Sequence, residues 1–105
     1  MDLKMKGSFK AELRVNKSSI KLNSFVEEFL ARTTLGAASS LKGAENIQSL
    51  EIHQEEGDVS VIVNGNKLIL TPFPSEIISN TLTGLVSSLS GVEDMDSLDI
   101  SVKIE

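Results

Sequence analysis

The chain has 105 residues, 40% of them hydrophobic, with no cysteine and 10 basic against 15 acidic side chains for a net charge of -5. That size and apolarity predict one folded domain burying roughly 60–70% of its unfolded surface, and exclude a disordered segment. The missing cysteines exclude a disulfide framework, a thiolate nucleophile and a cysteine zinc site, and fit a reducing, cytoplasmic setting.

The first element is a strand. Leu3, Met5, Phe9, Ala11, Leu13 and Val15 alternate with Lys4, Lys6, Ser8, Lys10, Glu12 and Arg14, a period of two that marks one buried and one wet face. Asn16-Lys17-Ser18-Ser19 turns the chain without a strong hairpin signal. A helix follows, with Asn23 or Ser24 as its N-cap and Ser24 with Glu27 suited to a capping box. Phe25, Phe29, Leu30, Ala37 and Leu41 recur at helical spacing, and Gly43 is placed to end it in the left-handed conformation. Leu50-Glu51-Ile52 alternates again as a strand, and Glu55-Glu56-Gly57-Asp58 turns the chain back.

The next strand is Val59, Val61 and Val63, ending in Asn64-Gly65-Asn66. Asn-Gly between apolar runs predicts a type I′ hairpin, because both central residues of that turn need positive φ. After Leu68 to Leu70 comes Thr71-Pro72, an N-cap followed by proline at the first helical position. Phe73, Ile77, Ile78, Leu82, Leu85, Val86 and Leu89 carry the second helix, with Gly91 at its end. The last strand runs from Leu98 to Glu105.

The two halves of this description are the same unit. An offset of 48 positions aligns Glu12–Ile52 with Ser60–Ile100 without a gap, and 15 of the 41 pairs are identical, among them Val15/Val63, Asn16/Asn64, Phe25/Phe73 and Ile52/Ile100. Roughly 2 or 3 identities are expected at random. The expected architecture is α+β, one domain over 1–105 built from repeats at about 9–56 and 57–105. It is a two-layer sandwich in which a mostly antiparallel sheet meets two helices, in the order ββαβ-ββαβ. The half units are either ferredoxin-like or paired and β-grasp-like. Two copies make a pseudo-symmetric domain, since a solenoid needs about three or more.

Few residues suggest chemistry. The lone histidine, His53, sits on an exposed strand face between Glu51 and Glu55, where a solvated face is the expectation and a divalent metal the minor alternative. There is no HExxH, phosphate loop, Cys/His pair or sequence-level Ser/His/Asp set. The pairs Glu27-Glu28 and Glu55-Glu56 and the cluster Glu93-Asp94, Asp96, Asp99 fall at helix starts, turns and links, where carboxylates favour solvent or helix N-termini. No catalytic residue, cofactor or metal is assigned, and the chain is expected not to be an enzyme.

One constellation recurs in both copies: Thr33, Gly36 and Ser40, repeated as Thr81, Gly84 and Ser88, at i, i+3 and i+7 on one helix face. Small residues at this spacing let another backbone approach, so the seam is expected to pack within the chain, with a face offered to a second subunit as the alternative. Residues 1–52 carry net +2 and residues 53–105 net -7. Opposed charge of this kind suits pairing across strands or between two chains better than binding to a phosphate backbone. With four phenylalanines and no Trp or Tyr, base-stacking platforms are scarce. No apolar run approaches the ~18 residues of a membrane span.

The run Val63-Asn64-Gly65-Asn66-Lys67-Leu68 through Leu70, Phe73, Glu76-Ile77-Ile78, Asn80-Thr81-Leu82, Gly84-Leu85-Val86, Ser88-Leu89 and Gly91-Val92-Glu93 resembles a small protein unit of unknown function from archaea and anaerobic bacteria, here in two tandem copies. That resemblance implies a structural unit and carries no activity with it. The hairpin is also similar to the opening of β-grasp sulfur carriers, but the Gly-Gly tail they use is replaced here by Val102-Lys103-Ile104-Glu105. The expected function is a non-enzymatic interaction or structural module that forms a homodimer or binds another protein, through an open sheet edge or a helix face. A small ligand held between sheet and helices is the alternative, and neither nucleic acid nor membrane is an expected partner.

Overall fold

The computed structural model describes residues 9–56, 58–92 and 94–104. Its elements are β1 (Phe9–Val15), β2 (Ser18–Ile20), α1 (Ser24–Ser39), β3 (Ser49–Glu55), β4 (Asp58–Val63), β5 (Asn66–Lys67), α2 (Pro72–Ser90) and β6 (Ser97–Ile104). The part of the expected first strand before Phe9, the turn residue Gly57, Glu93 of the acidic link and Glu105 lie outside the described residues. The six strands form one sheet in the order β2-β1-β6-β3-β4-β5, with antiparallel neighbours throughout. The α+β class with two helices and an antiparallel sheet is as expected.

The sheet order places each hairpin (β1–β2 and β4–β5) at an edge and the strands that follow the helices, β3 and β6, side by side at the centre. The pairing registers share one symmetry. Arg14 faces Ser19 in the first hairpin, and Ile62 faces Lys67 in the second. Val15 faces Leu98 across β1–β6, and Val63 faces Leu50 across β4–β3. Across β3–β6, Ile52 faces Ile100, so a twofold axis passes between residues that are 48 apart and brings every strand onto its counterpart.

Period-two patterning puts Ala11, Leu13 and Val15 of β1, Leu50 and Ile52 of β3, Val61 and Val63 of β4, and Leu98, Ile100 and Val102 of β6 into a single core. The helices supply Leu30, Ala31, Ala38, Ile78, Leu82 and Val86 to it. Each large side chain buried there contributes about 1.5–3 kcal/mol. The opposite sheet face is bare of helices and carries Lys10, Glu12, Arg14, Glu51 and His53, all exposed.

Local chemistry explains the turns. Asn16 and Lys17 have φ of 54° and 69°, and Asn64 and Gly65 have 52° and 83°, so both hairpins turn through two left-handed residues although only the second carries Asn-Gly. The asparagines do more than turn the chain. Asn16 Oδ1 accepts the backbone N–H of Asp96 at 2.6 Å and of Ser97 at 3.2 Å, while its Nδ2 donates to the Asp94 carbonyl at 3.0 Å. Asn64 Oδ1 accepts from Gln48 at 2.7 Å and Ser49 at 3.0 Å, and its Nδ2 donates to the Asn46 carbonyl at 2.9 Å. Each hairpin therefore clamps the link that enters the other half's last strand.

Asn23 is the N-cap of α1, its Oδ1 accepting from Val26 N–H at 2.8 Å. The capping box between Ser24 and Glu27 does not form. Glu27 Oε2 instead accepts the Ala11 backbone N–H at 2.8 Å, satisfying a strand donor that short β2 leaves uncovered. Gly91 closes α2 in the left-handed conformation, with φ of 78° and its N–H donating to the Ser87 carbonyl. Gly43 is left-handed too (φ 90°) but lies beyond the end of α1, which stops at Ser39 with Ser40 as its C-cap. Ser39 and Ser40 hydroxyls donate to the carbonyls of Gly36 and Ala37, competing with continuation of the helix.

Candidate functional site

Around each helix the side chains divide into two faces. Leu30, Ala31, Thr34 and Ala38 of α1 are buried, as are Ile78, Leu82 and Val86 of α2. The Thr34 hydroxyl is satisfied by donating to the Leu30 carbonyl at 2.6 Å. At 100° per residue, Phe25, Phe29, Thr33, Gly36 and Ser40 form a stripe roughly 150° around from that face. Phe73, Ile77, Thr81, Gly84 and Ser88 form the matching stripe on α2. These stripes point away from the sheet.

Four large apolar side chains on the stripes are exposed: Phe25 and Phe73 at 71% each, Phe29 at 43% and Ile77 at 47%. Helical spacing groups them with Leu30, Ile78 and Leu82, but they stand on a different face of each helix. A helix wheel holds two apolar faces in this sequence, and the sheet can cover only one. The signal was present in Phe25 and Phe29, which sit on the same side as Gly36 and Ser40 and not with Leu30. The two rings stack on each other, with centroids 5.8 Å apart.

The small-residue seam is likewise displaced from the expected place. Gly36, Ser40, Thr81, Gly84 and Ser88 are exposed and Thr33 is half-buried. A Cβ built on Gly36 or Gly84 would meet nothing within 4 Å, so the seam is not where the two helices of one chain cross. Of its six residues, Ser40 and Thr81 come together, on opposite walls of an open groove of about 290 Å³ between the C-terminal end of α1 and the N-terminal half of α2. Ala37, Leu41, Phe73 and Ile77 also line this groove, which is mainly apolar. Between sheet and helices near the twofold axis, where the alternative ligand reading places its pocket, Leu30, Ile52, Leu82 and Ile100 are each at most 1% exposed.

The open sheet face holds the one imidazole. In register, Arg14, Asp99, His53 and Ser60 form a row across β1, β6, β3 and β4. His53 Nδ1 lies 2.7 Å from Asp99 Oδ1 and Nε2 lies 3.1 Å from Glu51 Oε1. The Asp99 hydrogen bond, helped by Glu51 and opposed by partial burial, raises the His53 pKa above its ordinary value. The row brings an aspartate, a histidine and a serine together, a set that linear sequence does not show. It is wired to hold a proton, since the nitrogen that would take one from a hydroxyl faces Glu51 instead. Both ring nitrogens are engaged, and no group of three or more His, Cys, Asp or Glu suited to a metal ion occurs among the described residues.

Several other polar contacts tie elements of the fold together. Glu28 pairs with Arg32 at 2.8 Å on the outer flank of α1, and the Arg32 guanidinium lies 5.2 Å from the Phe9 ring centroid. Lys17 reaches Glu55 at 3.7 Å. Backbone groups of Asp94 and Asp96 are held by Asn16, which gives the acidic link a conformational role. No described helix is long and apolar enough to cross a membrane. Comparison with protein-family models, with curated proteins and with solved structures finds no match in any of the three.

Proposed function

We propose that this chain is a non-enzymatic interaction module that self-associates through its helix layer. The observation that carries this reading is the pair of uncharged stripes, on which Phe25, Phe29, Phe73 and Ile77 stand in solvent in a chain that is 24% charged. Apolar patches of several hundred Å² on a small domain mark contact surfaces. A non-enzymatic role is supported by the wiring of His53 between two carboxylates and by hydroxyls at Ser39, Ser40 and Ser90 that donate to their own helices.

We further read the architecture as a duplicated ββαβ unit, which resembles a small protein unit of archaea and anaerobic bacteria, with the last strands of the two copies meeting at the axis. The matching registers and the matching Asn16 and Asn64 clamps support duplication. Central strands that follow the helices favour paired half units over a ferredoxin-like sheet, in which the strands preceding the helices are central. The cytoplasm suits a chain without cysteine.

Light scattering over a wide concentration range tests the self-association. The expected mass exceeds that of one chain and falls toward it when Phe25 and Phe73 are both changed to serine. A mass of one chain at every concentration overturns it. The groove at Phe73, Ile77 and Leu41 supports a second reading, a small apolar ligand, although its volume falls just below the ~300–1,000 Å³ of ligand pockets. A thermal-shift screen of apolar metabolites at millimolar concentration separates the two, since only the ligand reading expects a hit.

A further inference from the structure

We propose that two copies of this chain dock helix layer to helix layer about a twofold axis lying in that layer, so that the phenylalanine half of each helix covers the glycine-and-serine half of a helix in the other copy. This rests on the self-association reading and specifies its geometry.

The argument starts from composition along each stripe. Large residues occupy the N-terminal half (Phe25 and Phe29; Phe73 and Ile77) and small ones the C-terminal half (Gly36 and Ser40; Gly84 and Ser88). The twofold of the sheet turns one helix onto the other, so they run antiparallel, and the groove confirms that the end of α1 lies beside the start of α2. The outer surface is thus a checkerboard of two projecting and two flat quarters. Any twofold axis in that surface, along or across the helices, exchanges projecting for flat quarters. Self-complementarity of this isologous kind follows from the arrangement and requires no adjustment of the chain.

The area is adequate for a second copy. Taking roughly 200 Å² for a large side chain, the four exposed residues present about 450 Å² of apolar surface, against about 800 Å² per partner in a standard interface. The flat quarters and the groove walls supply the rest. None of the ten stripe residues is charged, and the Glu28–Arg32 pair on the flank resembles the polar rim of such interfaces. Gly36 and Gly84 have open space where a Cβ would point, which is the room that an incoming ring needs.

The sheet edge at β5 is less suited. Ile69, beside edge strand β5, is 95% exposed, but β5 offers only Asn66 and Lys67 for pairing.

The test uses Gly36→Phe and Gly84→Phe together. Both positions are exposed and uncrowded, so the variant is expected to fold, with melting and circular dichroism as the check. Filling the flat quarters is expected to weaken dimerisation at least tenfold by sedimentation. Cysteine cross-linking of the otherwise cysteine-free chain provides an independent readout. Oxidised Thr33→Cys protein, alone or mixed with Thr81→Cys, is expected to yield covalent dimers, the first for an axis across the helices and the second for an axis along them. Ser101→Cys on the open sheet face serves as the control. A dimer that persists in the glycine variant, with cross-linking no greater than the control, overturns this geometry while leaving self-association intact. Loss of that dimer on Ile69→Lys would assign it to the sheet edge instead. A wild-type monomer at all concentrations overturns both.

Discussion

Ile52 and Ile100 face each other across the central strand pair, and both are at most 1% exposed. They stand 48 residues apart in the sequence, and the pairing registers on either side of them match, so the twofold of the sheet runs through the core between them. Each side chain consequently sees nearly the same surroundings. Truncating either one to alanine is expected to cost about 2–5 kcal/mol, with the two values agreeing within about 1 kcal/mol. Urea denaturation of Ile52→Ala and Ile100→Ala measures this, and a large inequality would show that the axis is only approximate at the core.

The asparagine clamps predict a graded response. Asn64→Gly keeps the left-handed turn but loses the side-chain bonds to Asn46, Gln48 and Ser49, which should cost about 1–2 kcal/mol for bonds that water partly replaces. Asn64→Ala adds a left-handed residue without a tolerant side chain, worth roughly a further 1–2 kcal/mol. The same order is expected at Asn16. Thermal melting of the four variants tests it, and equal stability of the glycine variants with the parent would reduce the asparagines to turn formers.

Lys17 occupies the position that Gly65 holds in the second hairpin, with φ of 69°. Relief of left-handed strain in Lys17→Gly is expected to stabilise the fold by about 0.5–1 kcal/mol, net of the extra freedom that glycine gives the unfolded chain. The exposed Lys17–Glu55 pair, lost in this variant, contributes little. The reciprocal Gly65→Lys should destabilise. If denaturation midpoints move the other way, the ion pair and not the backbone dominates at this turn.

His53 ties stability to pH. Its folded pKa is raised above the unfolded value of about 6.5, so the imidazolium is favoured in the native state. The stabilisation is fully present below about pH 6.5 and is lost as pH rises through the folded pKa. Asp99→Asn removes the largest cause and should bring the histidine back toward its ordinary value. Proton NMR of the single imidazole reports this directly, and an unchanged titration midpoint would mean that the 2.7 Å contact does not persist in solution.

Much of the fold was legible because its causes are local. Alternation in Ala11 to Val15 and Leu98 to Val102, the Asn64-Gly65 turn, Pro72 at a helix start and Gly91 at a helix end each name an element from a few adjacent residues. The 48-residue offset pairs residues that the sheet registers also relate. Phe25, Phe29, Phe73 and Ile77 share helical spacing with the core residues yet stand in solvent, because hydrophobic spacing reports a helix face without saying whether a sheet or solvent lies against it. The pairing of His53 with Asp99 was out of reach for a related reason, since partners 46 residues apart meet only once strand order is settled.

The α+β class, the two ββαβ-like stretches of similar pattern 48 residues apart and the scarcity of histidine and cysteine were all readable along the chain, because composition and short-range periodicity act within a few residues. Tertiary structure alone decided that β3 and β6 share the centre, that Asn16 and Asn64 clamp each other's half, and that the shared small residues face outward. Those outcomes depend on which surfaces compete for burial, and that competition is resolved only when the whole sheet has formed.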